Sequence, residues 1–136
     1  MSTSRSTGLH LTIPPRVATA VLVCTHIYMS GGYFGPPRLS SSGSYTYVLA
    51  WAPATVWGWG LVAGAVLTCA GPWLNRWGST VAHAVAALPM LGLLAAFMFA
   101  QIEQVSTGWG SFLLIYPVIG HALLVAARHH PETTRA

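Results

Sequence analysis

The chain has no lysine, no aspartate and only two glutamates among its 136 residues, and its two cysteines, Cys24 and Cys69, stand far apart. Each shortage removes a class of chemistry. With no aspartate, HExxH, CxxC or glycine-rich phosphate loop, most metallohydrolase, kinase and Asp-based hydrolase mechanisms have no residues to run on. A serine nucleophile would lack an orienting acid. The expectation is a protein that is not an enzyme and holds no metal. Charge is scarce altogether: 6% of residues carry it, against about 25% in soluble domains, so water is not the main solvent of this surface. The six arginines are too dispersed for the basic patch that nucleic acid requires. Contact with anionic membrane lipids accounts for them better.

What is present is apolar. At 54% hydrophobic residues, rich in Trp, Leu and Val, the chain is not a disordered polymer. Between Val17 and Ala127 the only formal charges are Arg38, Arg76 and Glu103, and each falls between long apolar stretches. Those stretches cover about 17–34, 47–70, 80–102 and 109–127, each near the roughly 17 to 25 residues a helix needs to cross a bilayer. The expected fold is therefore all-α: a polytopic membrane protein built as a four-helix transmembrane bundle. A polar tail (1–15) precedes the membrane domain (16–128), and a second polar tail (129–136) follows it. With the N-terminus inside, Arg5, Arg16, Arg76, Arg128 and Arg135 are cytoplasmic and only Arg38 is outside, which satisfies the positive-inside bias. Both termini are expected in the cytoplasm, at the cell membrane.

Turn formers punctuate the stretches. Pro14-Pro15 marks the entry of the first, and no A-x-A-like cleavage site follows it, so the first span is expected to stay. Ser30-Gly31-Gly32, Pro36-Pro37 and the serines at 40–44 form an outer loop. Pro53 is expected to kink the second span, and Gly71-Pro72 to end it. A tight inner loop at 71–79 then makes the second and third spans an antiparallel hairpin. Trp73 and Trp77 lie at the inner interface, and Tyr33, Tyr45, Tyr47, Trp51 and Trp109 near the outer one.

Four groups of residues are candidate sites. Gly60 and Gly64 form a GxxxG pair extended by Thr68, and Ala82 and Ala86 present a similar small surface on the third span; such faces serve either self-association or packing within the chain. Intramembrane ionisable residues form the second group. His83 lies seven residues after Arg76 and His121 seven before Arg128, placing both about 10 Å from the inner boundary on antiparallel neighbours. Two imidazoles at one level are able to ligate a haem iron from opposite sides. His26, ten residues after Arg16, lies nearer the midplane. The plainer alternative gives each imidazole a carbonyl, Thr25 or another helix as partner. His129 and His130 are expected to be solvated. Glu103 at the end of the third span is either an interfacial acid or the exchanging carboxylate of a small proton-coupled transporter. Cys24 and Cys69, at depths too different for a disulfide, are expected to be small apolar fillers.

In its arginine without lysine, its Ala-, Gly- and Trp-rich spans and the tail Arg128-His129-His130-Pro131, the chain resembles the small four-span hydrophobic proteins of actinobacteria and their phages, some of them holin-like. The likeness is one of layout, and no site residue is carried over by it. It implies a non-enzymatic membrane protein that acts by helix packing or self-assembly as a homo-oligomer, without a cofactor. Two other readings stay open: a membrane anchor binding b-type haem through His83 and His121, and a transporter using Glu103.

Overall fold

The computed structural model describes residues 14–34, 43–102 and 113–129, and it contains helices and no strand among them. Five α-helices follow one another: α1 (Pro15–Phe34), α2 (Gly43–Trp51), α3 (Ala54–Ala70), α4 (Arg76–Ile102) and α5 (Ile115–His129). Three segments are long and apolar enough to cross a membrane, namely α1, Ala54–Trp73 and α4. α5, at 15 described residues, spans about 22 Å.

Local chemistry sets the ends. Pro15 opens α1 where its missing N–H costs nothing, and the Pro14 carbonyl accepts from the amides of Val17 and Ala18. α1 then continues through Ser30-Gly31-Gly32 to Phe34, where the first apolar stretch ends, so the turn formers at 30–32 are helical and not part of the outer loop. Glycine is tolerated in apolar helices, and Ser30 Oγ donates to the Ile27 carbonyl at 2.8 Å, a partner inside its own helix. Asn75 starts α4: its side-chain oxygen accepts from the Gly78 amide at 2.7 Å, the bond of an N-cap to the third helical residue. Pro117 sits in the first turn of α5, where no intrahelical donor is lost.

The second predicted span is two helices, not one kinked helix. Pro53 adopts φ −56° and ψ 150°, so the chain leaves the helical region there and re-enters it at Ala54. Proline disfavours helix at the residue before it and supplies no N–H, which separates α2 from α3. The Trp57 indole bridges the break by donating to the Val48 carbonyl at 3.0 Å.

α1, α3, α4 and α5 close a ring in which each packs on two others, α1 on α3 and α5, and α4 on α3 and α5, while α2 lies against α4. The interior has two zones. Tyr33, Val48, Leu61, Met90, Leu93, Ala96 and Leu114 form an apolar cluster. Nearer the ends marked by Arg16, Arg76 and Arg128, the buried polar residues are His26, Thr68, Ser79, His83 and His121, beside apolar ones such as Leu22 and Leu124. The exterior is apolar in turn, with Val21, Tyr28, Trp59, Val66, Val81, Leu88 and Ile119 among its exposed residues. A surface of this kind suits hydrocarbon better than water.

Candidate functional site: a buried chain of three imidazoles

Helical spacing brings three histidines to one place. Leu22, His26, Ser30 and Tyr33 form the buried face of α1, Ser79, Ala82, His83 and Ala86 belong to that of α4, and Pro117, His121 and Leu124 to that of α5. The imidazoles retain 0%, 3% and 2% of their exposure at His26, His83 and His121. His26 Nε2 and His121 Nε2 are 3.1 Å apart, and His121 Nδ1 and His83 Nδ1 are 3.2 Å apart. The ring centroids lie 5.4 Å and 5.5 Å apart, tilted by 57° and 51°. The order is therefore His26, His121, His83, with both nitrogens of the middle ring engaged.

Glycine makes the room. A Cβ on Gly64 of α3 would lie 2.6 Å from His26 Cε1 and 3.2 Å from the Ala86 carbonyl oxygen, and one on Gly71 would lie 2.9 Å from His83 Nε2. Both positions let backbone approach an imidazole ring that any larger residue would displace. Thr68 Oγ1 donates to the Gly64 carbonyl at 2.7 Å, so this hydroxyl is satisfied within α3. His26 Nδ1 and Ser79 Oγ are buried polar atoms without a partner among the described residues.

The tautomers follow from donor counting. A neutral imidazole has one N–H and one lone pair, so His121 must donate to one neighbour and accept from the other. Two arrangements satisfy both contacts. In one, His26 Nε2–H donates to His121 Nε2 and His121 Nδ1–H to His83 Nδ1, leaving a bare lone pair on His26 Nδ1. The reverse arrangement leaves a buried N–H there instead. A buried N–H without a partner is the rarer defect, which favours the first arrangement as the resting one.

The series ends at a cleft of about 240 Å³ lined by Arg16, Thr19, Pro72, His83, Leu124 and Arg128 among others. Arg128 donates to the Gly71 carbonyl at 3.1 Å and to the Leu74 carbonyl at 3.4 Å, capping the turn after α3. His129 is not the solvated residue expected from the sequence. Its Nε2 is 3.0 Å from Thr80 Oγ1 and its ring meets Trp77 edge-on, because α5 continues through it.

The structure joins His83 and His121 at one level, as their spacing from Arg76 and Arg128 implies, and adds His26 to them. The rings touch directly, so a haem macrocycle does not fit between His83 and His121. A chain that uses opposite nitrogens of its middle ring does not converge on one ion either, and no group of three His, Cys, Asp or Glu among the described residues is arranged to hold a metal. The small-residue face is spent inside the chain: Gly64 meets His26 and α4, Gly60 is 3.6 Å from Pro89 by its would-be Cβ, and Thr68, Ala82 and Ala86 are buried. Self-association through that face would have to unpack it. Thr25 bonds its own helix at the Val21 carbonyl, and Tyr33, one residue from the end of α1, is turned into the bundle. Cys24 and Cys69 are exposed on the apolar exterior, not fillers of the core. Glu103, Arg38, Trp109 and His130 lie outside the described residues.

No protein-family model matches the chain, and neither a curated protein nor a solved structure does.

Proposed function

We propose that this is a multi-pass protein of the cell membrane that moves protons along the His26, His121 and His83 series. The observation that carries this reading is the unbroken pair of N···N contacts at 3.1 Å and 3.2 Å in a buried site. From the resting arrangement, a proton taken up at His26 Nδ1 lets the Nε2 proton pass to His121 Nε2. The Nδ1 proton of His121 then passes to His83 Nδ1, and the Nε2 proton of His83 leaves toward the cleft. One proton enters, one leaves, and the chain ends in its reverse arrangement, ready for the opposite transfer or for ring reorientation. In this reading α5 belongs to a fourth crossing, and both termini face the cytoplasm. The excess of arginine at the cleft end, with Arg16, Arg76 and Arg128, supports reading that end as the inner one.

The test is proton flux in liposomes of zwitterionic lipid carrying an internal pH dye, driven by a potassium diffusion potential. The protein should acidify the lumen well above empty vesicles, and His121→Phe should remove at least about nine tenths of that rate, since the middle of the series cannot be bypassed. Flux no faster than that of empty vesicles would end this reading. Fusions of a cytoplasm-only reporter to each end check the topology, and both should be active.

A further inference from the structure

We propose that the cleft between the start of α1 and the end of α5 binds a phosphate-class oxyanion between Arg16 and Arg128. Both arginines are among its lining residues, together with the apolar Pro72 and Leu124. At about 240 Å³ it has room for a phosphate group with its substituent. The local charge is uncompensated among the described residues, because the chain's only carboxylate side chains, Glu103 and Glu132, lie outside them. Two cations that share one cleft repel each other, and an anion between them relieves that cost.

Arg128 is also held ready. Its two terminal nitrogens donate to the Gly71 and Leu74 carbonyls, which fixes the guanidinium plane and leaves further N–H donors among its five. A side chain already immobilised loses little freedom on binding. The 20-residue α1 begins at this cleft, and the positive end of its dipole adds to the same potential. Apolar walls beside paired cations suit the phosphate of an anionic phospholipid, and the same donors suit free phosphate. The recognised chemistry is one; its source is decided by experiment.

Two measurements on the full chain separate the sources. The first is calorimetric titration of the detergent-solubilised protein with inorganic phosphate. The second is enrichment of phosphatidylglycerol over phosphatidylcholine on protein extracted from vesicles containing equal parts of both. Saturable binding in the first points to a free anion, and enrichment in the second to a lipid headgroup. In whichever assay responds, Arg16→Gln should weaken binding about tenfold. Arg16 is exposed at the start of α1, so this change leaves the fold standing. Arg128→Lys keeps the charge but loses the fork, and should weaken binding less than Arg128→Gln. No binding in either assay, or binding indifferent to both Arg16→Gln and Arg128→Gln, would overturn the site. Neither assay uses a proton gradient, so the anion site and the proton path stand or fall separately.

Discussion

His121 is the only one of the three imidazoles with a ring on each side of it, which makes its replacement the costliest. His121→Phe leaves His26 Nε2 and His83 Nδ1 without partners in a buried site, a penalty of about 1–3 kcal/mol for each group left unsatisfied. His26→Phe orphans only His121 Nε2. Thermal unfolding in detergent should therefore rank the variants with His121→Phe lowest, and equal midpoints would show that the contacts carry no energy. Gly64→Ala drives a methyl into the His26 ring, whereas Gly60→Ala makes an ordinary contact with Pro89. The former should lower the unfolding midpoint and the proton flux together, and the latter should do neither. That His83 and His121 lie side by side was legible in the sequence, because each is seven residues from an arginine on an antiparallel neighbour. That His26 joins them was not, since ten residues from Arg16 fixes a height and says nothing about which way the ring turns.

Among the helices, the break at Pro53 and the cap at Asn75 are the features whose energies can be isolated. Trp57→Phe keeps most of the aromatic bulk and removes only the indole donor to the Val48 carbonyl, and should cost about 1 kcal/mol. Asn75→Ala removes the bond to the Gly78 amide at a cost of similar size, about 1 kcal/mol. Denaturation midpoints of the two single variants and the double variant check both values, and additivity is expected for sites at opposite ends of α3. Helix positions were readable from long uncharged runs, and their ends from Pro14-Pro15 and Gly71-Pro72. Their inward faces were not. A helix packed on one side and bathed in hydrocarbon on the other is apolar all round, so the periodicity that distinguishes core from surface in water is lost. The full interruption at Pro53 escaped for a related reason: Pro89 sits inside an unbroken α4, so proline alone does not foretell a break.

At the level of the whole molecule, polar groups are gathered inside and apolar ones turned out, the arrangement a lipid solvent favours. Cys24 and Cys69 lie on that outer surface, and a maleimide needs the thiolate that forms only in water, so in intact vesicles both should resist a membrane-permeant maleimide and react once the protein is denatured. Rapid labelling of both before denaturation would place these surfaces in water. The two interior zones differ in what they do to an electric field. Leu61, Met90, Leu93 and Ala96 lie beyond the histidines along α3 and α4, away from the arginine-marked end, and form the layer least able to polarise. In a bilayer most of the voltage would fall across that layer, where moving one elementary charge involves about 2.3 kcal/mol per 100 mV. On the proposed path, a proton exchanged between His83 and the cleft would cross almost none of it. The electrically expensive part of that path would be the approach to His26, so if the proposal holds, current should steepen with voltage even when the two compartments share one pH.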